Sequence, residues 1–192
     1  PVGFNRGPSS GGMVEPKRIP FTFATKAWSA GTSGRFKGEA VLAPKDAAGI
    51  EKLAGTLKGR WVVLQGRSGG RDSRRRLQEI CRADGAFGTI ASSGAKIVRT
   101  SGNQRISWEQ LPQDVAITLV GPDFKALVKE LEGGEKVVLE FDIRNWFKKG
   151  PIPLYNVIAD IKGTEKPDEY VVIGGHLDSW DGATGTTDNG TG

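Results

Sequence analysis

The sequence has one cysteine, one histidine and one methionine in 192 residues. Because Cys81 is alone, no internal disulfide can form, and its place in an apolar periodic stretch indicates a small core residue, not a nucleophile. No apolar run approaches the roughly 20 residues of a membrane-spanning helix, so no membrane span is expected. Residues 1–3 lack the charged start and apolar core of a signal peptide, and a chain opening at Pro1 is expected to lack its natural N-terminus.

Positive charge is in modest excess, with a formal net charge of +5. Much of the excess lies in arginines set among glycines: Arg67, Arg71, Arg74, Arg75 and Arg76. No aromatic residues lie between them to stack on bases, as proteins that bind single strands require. We therefore predict a solvated loop and no nucleic-acid partner, with an acidic partner as the minor alternative.

The apolar patterns predict an α/β fold, and a chain of 192 residues can bury roughly 70% of its unfolded surface. Strands are predicted at residues 38–43, 61–64, 87–91, 115–120 and 136–143. Helices are predicted at 46–57, 73–83 and 121–132, with Asp46 as an N-cap and Gly85 ending the second helix. The glycine-rich residues 1–23 have no period and are predicted to be irregular, and the polar stretch 92–110 is predicted to be mobile.

Two further strands are predicted near the C-terminal end. Two prolines favour an extended linker at residues 148–153. Apolar runs follow at 155–161 and 170–173, separated by a short charged turn, so the two strands should pair antiparallel.

The chemistry-bearing residues follow the last of these strands. Gly174 and Gly175 end the run, His176 comes next, Asp178 follows two positions later and Asp188 twelve positions later. Ligands of α/β sheets bind beyond the carboxyl ends of the strands, so these three side chains are expected at such a rim.

Metal-assisted hydrolysis is the chemistry that this pattern favours. Imidazole and carboxylate are usual ligands of catalytic zinc, so His176 and Asp188 are candidate ligands. Asp178 would point to the same side as His176 on an extended backbone, where it could fix the tautomer of the ring. The alternative from the residues alone is a strand-end histidine hydrogen-bonded to a neighbouring aspartate.

The segment from Gly174 to Asp181, followed by residues 187–192, resembles the co-catalytic zinc aminopeptidases and carboxypeptidases, particularly the plasma glutamate carboxypeptidase-like branch. The resemblance implies that His176 binds one of two zinc ions, Asp178 orients it and Asp188 bridges both ions. It implies an exopeptidase in which a water activated by the two ions attacks a peptide bond. The family's glutamate pair, further acidic ligand and second histidine lie later in the chain, so residues 1–192 are expected to be an inactive fragment.

A second resemblance concerns residues 24–147. Residues 57–64 and 83–90, with Gly85-Ala86 before the second strand, resemble a protease-associated domain, a small α/β insert that is thought to gate active sites. A packing role alone stays equally open. The predicted fold class is thus α/β: a connector at 1–23, a protease-associated domain at 24–147, and the first strands of a mixed-sheet zinc peptidase domain at 148–192.

Two other functions stay open on the sequence. Residues 66–70 fit the Gly-x-Ser-x-Gly pattern of serine hydrolases, with Ser68 as nucleophile and His176 as base. Some relatives keep the architecture without the ligands, which leaves a non-enzymatic binding module.

The zinc-peptidase resemblance also implies a peptide substrate and a secreted or periplasmic location. It allows a homodimer of the intact protein and implies a cis bond between Asp188 and Asn189. It does not distinguish aminopeptidase from carboxypeptidase activity.

Overall fold

The computed structural model describes residues 2–66, 70–98, 100–103 and 105–177. Its helices are α1 (Ala47–Glu51), α2 (Arg71–Asp84) and α3 (Gly121–Glu132). Its strands are β1 (Val2–Glu15), β2 (Ile19–Pro20), β3 (Phe23–Thr25), β4 (Arg35–Leu42), β5 (Trp61–Val63), β6 (Gly88–Ser92), β7 (Val115–Leu119) and β8 (Val138–Lys149). No helix in these ranges is long and apolar enough to cross a membrane.

The strands form one mixed sheet in the order β2-β1-β8-β4-β5-β6-β7-β3. Strands β4, β5, β6 and β7 run parallel to one another. Strands β8 and β3 flank this parallel block and pair antiparallel with β4 and β7. The predicted α/β fold is confirmed, and the β5–α2–β6 unit has the parallel strands that its pattern indicated.

Local signals placed two helix ends correctly. The Asp46 side chain accepts a hydrogen bond from the Gly49 N–H at 2.8 Å and caps α1. Gly85 ends α2 with φ +75°, a left-handed conformation that glycine adopts without strain. Helix α1 ends at Glu51 and not at residue 57, because the following turns tighten and Gly55 enters the left-handed region at φ +79°.

The core is divided between the two sides of the sheet. On β5, Val62 packs with the residues of α1 and α2, including Ile50 and Leu77, while Trp61 and Val63 belong to a larger cluster on the other side. This alternation is the period of two expected of a strand. Helix α3 covers the Trp61 side, where Phe124 and Leu127 join the larger cluster.

The sheet curls, so that β3, at one end, meets β1 and β8 near the other. Arg6 of β1 donates from Nη2 to the Thr25 carbonyl at 2.7 Å. Asn145 of β8 donates from Nδ2 to the Thr25 hydroxyl at 2.9 Å. Thr25 is buried, and these bonds satisfy its polar groups while fixing the curvature.

The prediction that residues 1–23 are irregular is wrong. Strand β1 runs for 14 residues and pairs with β8 from Val2 opposite Lys149 to Glu15 opposite Val138. The glycines that suggested a loop allow close packing instead: a Cβ on Gly12 would lie 2.2 Å from the Ile19 carbonyl oxygen. Strand β8 is longer than predicted because β1 continues beside it, while the domain boundaries at 23 and 147 stay predictions.

The predicted hairpin near the C-terminal end is also absent from the described residues. Residues 151–177 form no strand, although a turn at residues 166–169 is present, with a backbone hydrogen bond of 3.1 Å. A strand needs a neighbour to bond its backbone, and in the part of the chain that is described none lies beside this segment. From residue 154 onward its large apolar side chains are 81–100% exposed: Leu154, Tyr155, Val157, Ile158, Ile161, Tyr170, Val171, Val172, Ile173 and Leu177.

The polar stretch 92–110 contains more structure than its composition indicated. Thr100 is buried, Gly102 forms an isolated bridge with Ala27, and Trp108–Gln110 form a short 3-10 turn. The predicted mobility stays untested.

Candidate metal site

The segment that carries the candidate site leaves the sheet at the end of β8. Ile152 is half-buried over β1, where a Cβ on Gly3 would lie 2.8 Å from the Ile152 Cδ1. Beyond this contact the chain forms no helix or strand, and every residue from 153 to 177 is exposed. The sheet therefore anchors the start of the segment, and the segment presents its apolar side chains to solvent.

His176 lies in the last described part of this segment and is exposed. The neighbouring Ile173 and Leu177 are 94% and 84% exposed. Asp178 and Asp188 lie outside the described residues, as does the predicted cis bond between Asp188 and Asn189. The convergence of His176 and Asp188 on one pocket therefore stays a prediction.

The donor set suits zinc chemically, since it combines one imidazole with carboxylates. Among residues 2–66, 70–98, 100–103 and 105–177, no three or more His, Cys, Asp or Glu side chains cluster closely enough to hold a metal ion.

The serine-hydrolase alternative depends on the connection between β5 and α2. Gly66 has φ +57°, and α2 begins at Arg71 after Gly70. A strand therefore precedes the pattern and a helix follows it, while residues 67–69 of the connection lie outside the described residues. Ser68 itself lies outside the described residues, so its role as a nucleophile stays a hypothesis.

Cys81 is confirmed as a core residue. Its side chain is buried on α2 in the cluster that contains Ile50 and Leu77. Burial raises the pKa of the thiol to about 11, and the negative charges of Asp114 and Asp84 contribute in the same direction. A thiol with this pKa is protonated at neutral pH, which argues against nucleophilic chemistry at Cys81.

Asp84 is a residue whose importance the sequence did not indicate. From the last position of α2, its carboxylate accepts hydrogen bonds from the Leu57 and Gly55 N–H groups, both at 3.0 Å. These bonds, that of Leu57 first, lower the pKa of Asp84. The carboxylate ties the end of α2 to the loop that enters β5, a structural role that only the three-dimensional contact reveals.

Comparison with known proteins finds a family match in the C-terminal segment and curated relatives along most of the chain. Residues 156–192 match the model of Peptidase family M28. Carboxypeptidase Q of Xenopus laevis is 24% identical over 200 residues, covering 98% of this chain and 41% of its own length. The Homo sapiens protein of the same name is 26% identical over 196 residues with the same coverage. Identity to carboxypeptidase Q of Rattus norvegicus reaches 47%, over 38 residues that make up 20% of this chain and 8% of the relative.

Two solved structures show a similar fold. A Peptidase M28 precursor from Shewanella amazonensis has a TM-score of 0.62 at 24% identity, covering 98% of this chain and 46% of its own. An aminopeptidase from Aneurinibacillus sp. strain AM-1 has a TM-score of 0.52 at 14% identity, covering 76% and 34%. The chain thus spans less than half the length of these structures and of the curated relatives.

The matched segment contains all three candidate residues, His176, Asp178 and Asp188. Residues 156–192 are thus similar to Peptidase family M28, the chain as a whole is similar to part of carboxypeptidase Q, and the solved structures show a similar fold.

Proposed function

We propose that this chain is part of a zinc-dependent exopeptidase. The observation that carries the proposal is the family match over residues 156–192, which contains the single histidine and both candidate aspartates. The names of the relatives, carboxypeptidase Q and aminopeptidase, agree with hydrolysis of peptide bonds at a chain end. Which end is attacked stays open, because both activities occur among them.

In this proposal each candidate residue has one task. His176 would supply a neutral imidazole nitrogen as a ligand. Asp178 would accept a hydrogen bond from the other ring nitrogen and so fix the tautomer. Asp188 would supply carboxylate oxygens to the same metal centre.

Zinc, when bound, polarises the scissile carbonyl and lowers the pKa of water for attack. The chain supplies the binding and orienting groups named above, while the general base and the other ligands would come from other parts of the complete protein.

For the remainder of the chain we propose a protease-associated domain at residues 24–147. Its support is a set of helices and parallel strands whose core also takes in Met13 and Phe21, and the proline-containing residues 150–153 join it to the peptidase segment. Such a unit would cover or gate the active site. A secreted or periplasmic location and a homodimer of the complete protein belong to the same proposal.

Peptide hydrolysis by the longest natural protein that contains this sequence tests the function. Activity on short peptides should be lost on treatment with 1,10-phenanthroline and restored by zinc. His176→Ala should lower kcat/KM by at least about 10³-fold, whereas Lys162→Ala, in the same exposed segment, should leave it unchanged.

Two outcomes would overturn the proposal. Chelator-resistant hydrolysis that disappears in Ser68→Ala would establish the serine-hydrolase alternative. Zinc-replete protein without any hydrolysis would favour the non-enzymatic binding module. Residues 1–192 alone should not cleave peptides, since His176 and Asp188 cannot complete two metal sites.

A further inference from the structure

A groove of about 310 Å³ lies between α3 and the end of β5, and its lining contains none of the candidate metal-site residues. Phe124 and Val128 of α3 form its apolar floor, and Lys125 and Lys129 stand on its rim. Gln65 and Glu132 close one end, where the Gln65 Nε2 donates to the Glu132 Oε1 at 3.0 Å. The groove thus combines an apolar surface with two neighbouring positive charges.

The position of the groove is one where α/β proteins commonly bind ligands. Gln65 follows the carboxyl end of β5, which lies between two parallel neighbours. Helix α2 packs on one face of β5 and α3 on the other, so the groove opens where the chain elements diverge. Ligands of open α/β sheets bind outside the carboxyl ends of the strands, and the groove lies at this end of β5.

The acidic side chains of α3 differ from its two lysines in the contacts that they make. Each acid of the helix is engaged: the Asp123 carboxylate accepts from the Thr22 N–H at 2.7 Å, and Glu130 pairs with Lys17 at 2.6 Å. Glu132 is held by Gln65, as described above. Lys125 and Lys129 are exposed and make no ion pair with any described carboxylate. The groove therefore has two positive charges, from Lys125 and Lys129, against one negative charge, from Glu132, and so a net excess of positive charge.

We propose that this groove binds an acidic peptide segment in extended conformation. Lys125 and Lys129 are one helical turn apart, which separates their Cβ atoms by about 6 Å. Carboxylates two residues apart on an extended peptide lie on the same side and are separated by about 7 Å. A segment with acids at alternate positions therefore matches the two lysines, and an apolar residue beside them covers Phe124 and Val128.

The inference goes beyond the proposed peptidase function and does not depend on it, because it uses neither zinc nor residues beyond 132. Binding can be measured by fluorescence anisotropy with residues 1–192 and a labelled peptide that carries glutamates at alternate positions around a leucine. The matched probe is the same peptide with glutamine at each glutamate. We expect the glutamine peptide to bind about tenfold more weakly, since two charge pairs are lost.

Charge-reversal variants locate the site. Lys125→Glu with Lys129→Glu should lower the affinity for the acidic peptide at least about tenfold. The control is Arg71→Glu with Arg74→Glu, which removes the same charge from the exposed face of α2. The control should retain most of the affinity, and both double variants should keep the wild-type circular dichroism and urea midpoint.

Three results would overturn the proposal. Equal losses in the α3 and α2 variants would show attraction to net charge without a site at the groove. Equal binding of the glutamate and glutamine peptides would exclude recognition of carboxylates. Stronger binding of single-stranded DNA, competing with the peptide, would identify a nucleic-acid partner instead.

Discussion

At the scale of single residues, Asp84 shows how one carboxylate joins two elements. It accepts from the Leu57 and Gly55 N–H groups, which lowers its pKa. A folded-state pKa below the unfolded value means that the charged form stabilises the fold at neutral pH. This stabilisation is lost as the pH falls below the ordinary value, about 3.9, and through the lower folded-state value.

We therefore predict that Asp84→Asn lowers the urea midpoint at pH 7 and that the difference from wild type closes as the pH falls to about 2. Asp160→Asn removes the same charge from an exposed position and should have no effect at either pH. A difference for Asp84→Asn that stays constant from pH 7 to pH 2 would show that the charge of the carboxylate is not responsible.

A substitution at Trp61 tests how much a single buried side chain contributes to the stability of the core. Its side chain is fully buried, with its ring centroid 4.9 Å from that of Phe141 and 5.6 Å from that of Phe87. Trp61→Ala should lower the free energy of unfolding by about 3–5 kcal/mol, through lost burial and the cavity left behind. Trp146→Ala, at a half-exposed position, should cost much less in the same denaturant titration. Equal costs would place Trp61 outside the core.

At the scale of elements, the sequence predicted those whose signals are local. Helix α2 has apolar spacing, and Gly85 provides its end; β5 is a short apolar run. Strand β1 was missed because its pattern is set by partners far along the chain. Gly11 lies against Phe141 and Gly12 against β2, where a side chain would collide, and glycines required by such packing give the strand a composition typical of a loop.

Gly12 of β1 provides a direct test of this explanation. A Cβ at this position would lie 2.2 Å from the Ile19 carbonyl oxygen, and backbone cannot move aside as a flexible side chain can. Gly12→Ala should therefore lower the free energy of unfolding by about 1–3 kcal/mol.

Gly70→Ala is the matched control, since a Cβ there meets nothing within 4 Å and its φ of −67° suits any residue. Its unfolding free energy should stay close to that of wild type. Equal stability of the two alanine variants would contradict the close packing of β1 against β2.

At the scale of the whole molecule, the sheet and the C-terminal segment differ in whether their apolar runs have paired strands beside them. The predicted hairpin has the apolar pattern of buried strands, but the described residues place no neighbour beside it. A pattern specifies that a segment can be a strand, whereas its pairing depends on other parts of a structure. For the same reason the motif at His176 indicates zinc chemistry, while the position of its partners could not be derived from spacing.

Hydrogen exchange measured by mass spectrometry distinguishes the two parts. Amides of residues 155–161 should exchange at the earliest time points, because they are exposed and lack strand partners. Amides of β5 should be strongly protected, because that strand is buried between β4 and β6. Protection of residues 155–161 equal to that of β5 would show that the hairpin forms in this chain.

The central claim is that His176 and Asp188 share one zinc site. The most direct measurement is anomalous diffraction at the zinc edge from crystals of the complete protein that contains this sequence. The account predicts a zinc peak about 2.0–2.2 Å from a His176 ring nitrogen and from an Asp188 oxygen, with a second peak on the other oxygen of Asp188. Peaks that contact neither residue, or the two side chains on opposite faces of the sheet, would contradict it.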